Sequence, residues 1–111
     1  PDQWDRSTCI DFLLSHGIQM HLGINELTIF TDYPPEEAAL AQVIEKNGTL
    51  VAKRFEIYHQ GIELANGYHE LGNAEELKKR FEEVNTLRCS RNKQVYPLDK
   101  DFFSALKKGL P

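Results

Sequence analysis

The order of apolar and polar positions divides the chain into alternating helical and strand segments. Residues 4–16, "WDRSTCIDFLLSH", have helical spacing, with Trp4, Cys9, Phe12 and Leu13 as the expected apolar face. Gly17 ends or interrupts this helix, and "IQMHLG" can carry it on to Gly23. Residues 26–33, "ELTIFTDY", follow a strand pattern in which Leu27, Ile29 and Phe30 are expected to be buried. Pro34-Pro35 ends that strand, because proline removes ladder donors. By pattern alone, "PEEAALAQVIEKNG" predicts a helix. Pro35 takes a first-turn position, two glutamates follow, and Asn47-Gly48 is a stop. "NAEELKKRFEEVNTLRCSR" predicts the clearest helix, with Asn73 as N-cap and Leu77, Phe81, Val84 and Leu87 as its apolar stripe. Glu75–Lys79 and Glu76–Arg80 are spaced for i, i+4 ion pairs, and Lys78-Lys79-Arg80 reads as a solvated face rather than a phosphate site. "RNKQVYP" is a loop, and "DKDFFSALKKG" is a short last helix capped by Asp99 and closed by Gly109.

Between these helices lies "RFEIYHQGIELANGYHEL", Arg54 to Leu71, which alternates as two strands around a turn at Gln60-Gly61. Glu56, Glu63 and Glu70 recur along it, although glutamate is a poor strand former. A two-residue turn sets His59 opposite Ile62, Tyr58 opposite Glu63 and Glu56 opposite Ala65. Glu56 and Glu63 then become diagonal neighbours, ~7 Å apart on one face. Two such carboxylates repel unless something positive lies between them: a divalent cation with oxygen ligands, or a lysine or arginine. Asn66, Tyr68 and Glu70 share a face of their own, opposite to Glu63 if the strand is regular. For all of them to line one pocket, the strand must bulge between Glu63 and Asn66 or the turn must have three residues, and the irregularity is expected near Leu64–Asn66. Such a pocket suits a ligand carrying an ammonium group, but a solvated charged strand remains the open alternative. The strands are few, and a lone hairpin is marginal in water, so the segment is expected to belong to a larger antiparallel sheet.

Composition narrows the picture. With 111 residues, 41% of them hydrophobic, the chain suits one small domain. A net charge of -4 argues against a nucleic-acid surface spread over it. No apolar run approaches the ~20 residues needed to span a membrane. No secretory signal is visible. Cys9 and Cys89 form no CxxC pair and are expected as free thiols. His16 and His21 are not at helical zinc-pair spacing, so no zinc site is expected. The chain starts at Pro1 rather than Met, so a fragment of a longer protein is expected.

The hairpin resembles class II lysyl-tRNA synthetases and their paralogues in a long pattern: FE, six residues, E, two residues, NG, an aromatic, any residue, EL. "DRSTCIDFLLSHGIQMHLG", "DYPPEEAALA", "ANGYHEL" and "YPLDKDFFSALKKGLP" are similar to one branch, the ligases that attach lysine or β-lysine to a lysine of translation elongation factor P. The resemblance covers essentially the whole chain. It implies an α+β fold: part of the class II aminoacyl-tRNA synthetase antiparallel sheet with flanking helices. It implies ATP-dependent activation of lysine as an adenylate, followed by transfer to an acceptor. It places ATP at Glu56, Ile57 and Glu63, Mg²⁺ at Glu56 and Glu63, and lysine at Glu63, Asn66, Tyr68 and Glu70. It also implies a cytoplasmic protein, homodimeric at full length, with elongation factor P as partner. Acceptance by tRNA, as in a lysyl-tRNA synthetase fragment, and a non-catalytic synthetase-like module are the alternatives. The family further implies that the stretch after "DYPP" is irregular, with at most a short helix. Motifs 1, 2 and 3 are not recognisable, so residues 1–111 are expected as a single fragment of the catalytic domain that does not catalyse adenylation alone. Gly72-Asn73 departs from the family's usual Thr-Asp but keeps a capping residue.

Overall fold

The computed structural model describes residues 4–110, which divide between Glu70 and Leu71 into two compact units. In the first, helix α1 (Arg6–Leu13) starts where the Asp5 side chain accepts the Thr8 N–H at 2.8 Å. The helix widens into a π-helical turn at Leu14–Ile18 and tightens into a 3₁₀ turn at Gln19–His21, so Gly17 interrupts it without ending it. The expected apolar face of α1 is not buried: Trp4, Phe12 and Leu13 are exposed and Cys9 is half-buried. Trp4 and Phe12 instead contact each other, with ring centroids 5.1 Å apart. Leu14, where the helix changes pitch, is the residue that packs on the core.

Strand β1 (Thr28–Tyr33) forms as expected, but Leu27 and Ile29 are exposed and Phe30 is half-buried. The pleat explains this. Phe30 shares the face that carries the core, and Ile29 therefore points to the other. The helix that pattern alone predicts over residues 35–46 is replaced by a 3₁₀ turn (Pro35–Glu37) and a strand, β2 (Val43–Lys46). Asn47 and Gly48 have φ of 53° and 77°, the two positive values of a tight hairpin turn, so they join β2 to β3 (Thr49–His59) rather than stop a helix. The irregular stretch that the family implies is thus present, and the strand after it was not expected. Strand β4 (Ile62–Tyr68) completes the sheet.

All pairings are antiparallel, and β3 pairs with each of the other three strands. At Lys53, β2 and β4 follow one another along β3. The Lys53 N–H donates to Gln42 O and its C=O accepts from His69 N, both at 2.8 Å, while Gln42 N–H donates to His69 O at 2.8 Å. The core beside this junction is small: Tyr33, Ala38, Ala41 and Ala52, flanked by Leu14, Phe30, Val43 and Tyr68. The observed architecture is the expected α+β one.

In the second unit, α2 (Ala74–Ser90) begins at Asn73, whose side chain accepts the N–H groups of Glu75 and Glu76 at 3.1 Å. Helix α3 (Lys100–Lys107) begins at Asp99 in the same way. Leu77 is buried and Phe81 half-buried, with Phe81 5.7 Å from the Phe103 ring. Val84 and Leu87 depart from the expected stripe and are exposed. In that half of α2 the loop before α3 is held by polar bonds, Asn85 Nδ2 donating to Tyr96 O at 2.8 Å and Arg88 Nε to Gln94 O at 2.6 Å. Glu76 pairs with Arg80 at 2.7 Å as the spacing predicts, whereas Glu75 pairs with Lys107 at 2.7 Å and not with Lys79. Among the described residues no helix is long and apolar enough to cross a membrane.

Candidate functional site

Gln60 and Gly61 have φ of 49° and 72°, the two-residue turn that sets His59 opposite Ile62 and Tyr58 opposite Glu63. The ladder then skips one residue of β4: Ile57 pairs with Ala65, Glu56 with Asn66 and Arg54 with Tyr68. Leu64 is the extra residue, inside the range where a bulge was expected. Asn66 therefore stands opposite Glu56 in place of Ala65, the partner in a regular register. Because one residue is added, Glu63, Asn66 and Tyr68 come onto the same face as Tyr58, Glu56 and Arg54. Asn66 Nδ2 donates to Glu63 Oε1 at 3.0 Å across the bulge.

Glu56 lies at the closed end of this face and is buried, with 6% of its surface exposed. Its carboxylate accepts from Arg54 Nη2 on one oxygen and from the Tyr58 hydroxyl on the other. Burial alone would raise its pKa, but hydrogen bonds from Tyr33 and Tyr58 and the Arg54 charge together hold it below the usual carboxylate range. Burial, followed by bonding to Glu56, pushes both phenols upward, so Tyr33 and Tyr58 stay protonated donors. Arg54 also donates from Nη1 to Glu37 O at 3.0 Å, and its guanidinium lies 4.4 Å from the Tyr33 ring centroid and 5.8 Å from that of Tyr68. The positive group that the paired glutamates call for is thus an arginine for Glu56. Sequence reasoning missed Arg54 as a site residue, though its spacing was the signal: two positions before Glu56, it must share that face. A cavity of about 290 Å³ opens on this cluster, lined by Asp11, Ser15, Tyr33, Arg54, Glu56 and Tyr58 among others.

The other end of the face is open. Glu63 and Asn66 are exposed and Tyr68 is half-buried. Glu70 forms an isolated bridge with Ala41, and its C=O accepts from Gln42 Nε2 at 3.1 Å. Its carboxylate is exposed and has no hydrogen bond or ion pair among the described residues. Ile57 pairs with Ile29 and Ala65 on the opposite face, so its side chain is apart from the carboxylates and only its backbone lies beside them. The two carboxylates supply the hard oxygen donors that Mg²⁺ takes. Glu63 fits as an open ligand, while Glu56 already has its cation. Among the described residues no group of three His, Cys, Asp or Glu side chains forms a cage for a metal.

Residues 14–111 match the profile of the family described as tRNA synthetases class II (D, K and N). The chain belongs to this family. The antiparallel sheet with its helices is accordingly part of a class II synthetase domain, in line with the resemblance of the hairpin. Among curated relatives, "Elongation factor P--(R)-beta-lysine ligase" of Salmonella gallinarum is 42% identical over 107 residues, which is 96% of this chain and 33% of the relative. The proteins of the same name from Enterobacter sp. and Salmonella arizonae are each 41% identical over the same shares. The chain spans about a third of the length of the curated relatives it matches. The class II synthetase segment thus carries the bulged hairpin.

Proposed function

We propose that the protein carrying this chain activates lysine or β-lysine with ATP, as an aminoacyl-adenylate, and transfers it to a lysine of elongation factor P. The observation that carries this reading is the bulge at Leu64, which sets Glu63, Asn66 and Tyr68 on one face and leaves the Glu63 and Glu70 carboxylates exposed. The names of the relatives support the substrate and the acceptor. Glu70 takes the side-chain ammonium, because a charge removed from water needs an ion partner. Tyr68 forms the wall of the pocket, and the Asn66 amide donates to the amino acid's carboxylate. Glu63 lies where the amino acid and the nucleotide meet. Glu56 and the backbone of Ile57 line the nucleotide side. Glu63 would hold Mg²⁺ as the open ligand, beside Glu56, whose carboxylate is held by Arg54 and Tyr58. When bound, Mg²⁺ neutralises phosphate charge during nucleotidyl transfer. The complete protein is proposed to act as a homodimer in the cytoplasm.

Two measurements on the full-length protein test the reading. In lysine-dependent ATP–pyrophosphate exchange, Glu70→Gln is expected to lose far more activity than Glu75→Gln, whose carboxylate bonds Lys107 in the second unit. Equal losses would remove Glu70 from the site. Labelled lysine offered with either elongation factor P or tRNA decides the acceptor, and label on tRNA alone would replace this proposal with a lysyl-tRNA synthetase.

A further inference from the structure

We infer that Arg54 is a positioning residue, whose guanidinium holds the Tyr68 ring against the pocket while its charge is balanced by Glu56. The inference rests on the lysine reading given above. A cation beside an ammonium-binding pocket would repel its ligand unless it were neutralised. Glu56 does this through a buried ion pair, which leaves Glu63 and Glu70 as the open charges. The guanidinium lies near two aromatic rings, 4.4 Å from the Tyr33 centroid and 5.8 Å from the Tyr68 centroid. Its Nη1 bond to Glu37 O ties this pair of rings to the 3₁₀ turn at Pro35–Glu37. Arg54 thus joins four segments: β1 through Tyr33, the turn through Glu37, its own strand through Glu56, and β4 through Tyr68. Its Nε is buried and has no hydrogen-bond partner, so the side chain is held by its two Nη groups and by the rings. A lysine can carry the charge, but it has neither the plane that stacks nor the fork that bonds two oxygens.

The test uses the full-length protein with Arg54→Lys, Tyr68→Leu and the double variant. Lysine and ATP KM are measured for each, with ring resonances of labelled tyrosine recorded by NMR. Arg54→Lys is expected to shift the Tyr68 ring resonance and to raise the lysine KM by about tenfold. In the Tyr68→Leu background the same change is expected to alter lysine KM by less than about twofold, because the group it acts through is gone. Additive effects on lysine KM overturn the inference. So does an unmoved Tyr68 resonance, or a lower unfolding midpoint with lysine KM unchanged and the Tyr68 ring undisturbed. If the resonance shifts but neither Arg54→Lys nor Tyr68→Leu alters lysine KM, the hold of Arg54 on Tyr68 stands and the lysine reading falls. Should Arg54→Lys not fold, the Arg54 Nε–H resonance in Tyr68→Leu gives a second route. A lost ring-current shift supports the coupling, and an unchanged signal overturns it.

Discussion

Glu56 and Glu63 lie on the same face of one hairpin, yet they occupy opposite environments. Glu56 is buried and has a cation and phenol donors of its own, whereas Glu63 is exposed and accepts a single amide bond from Asn66. The first carboxylate is part of what holds the sheet, and the second is available to something else. A carboxylate in a strand therefore has no single meaning, and its partners decide its role. The back of the neighbouring strand β1 makes the point from the other side: Ile29 is 63% exposed while Glu56 is 6% exposed. A charge can be the buried residue where Arg54, Tyr33 and Tyr58 satisfy it.

The contrast can be broken most severely at Glu56. Glu56→Ala leaves the Arg54 charge buried without its counter-ion, and is expected to cost about 3–5 kcal/mol in urea denaturation. An unchanged midpoint would place Glu56 with Glu63 as an open group. The next effect is on pH dependence. The folded-state pKa of Glu56 is depressed, so the unfolded chain binds the proton more tightly. Its stabilisation is full above the ordinary carboxylate range and is lost as pH falls through the lower, folded value. Glu56→Gln is expected to flatten this acid limb in a series of denaturation curves, and a limb of unchanged steepness would contradict the ion pair.

Glu63→Gln sharpens the contrast from the open end. It is expected to change stability by less than about 0.5 kcal/mol, as exposed substitutions do. In the full-length protein, exchange activity is expected to fall at least tenfold, equivalent to about 1.4 kcal/mol. A large stability loss without an activity loss would reverse the roles of the two glutamates. Asn66→Ala removes one exposed bond to Glu63. It should cost stability no more than about 1 kcal/mol, measured by the same denaturation.

The parts of the fold legible in sequence were those written in local chemistry. Asn73 and Asp99 cap their helices as their positions suggest, and Gln60-Gly61 makes its turn. The bulge was legible too, because the polar groups could share one face only if the strand's parity changed. Asn47-Gly48 was ambiguous, since the same dipeptide can stop a helix or turn a hairpin. The β-branched Val43 and Ile44 before it were the overlooked sign of a strand. Burial was the least legible property. Trp4, Phe12 and Leu13, together with Leu27 and Ile29, read as core but are exposed, because periodicity shows which residues share a face and not which face is covered. Arg54 was missed for a related reason: its place beside Glu56 follows from the alternation, but only the structure shows the two rings beside it.

The extra residue at Leu64 acts through its presence in the count and not through its side chain. Exchanging leucine for another amino acid leaves the number of residues between Glu63 and Asn66 unchanged. Losing that one codon would leave Glu63 and Asn66 two positions apart, still on one side of a strand that no longer needs to bulge. Descendants of this gene can therefore vary in what occupies the position, and can even lose it, while a change that flattened the bulge and kept the residue would split the site between the two sides of the sheet.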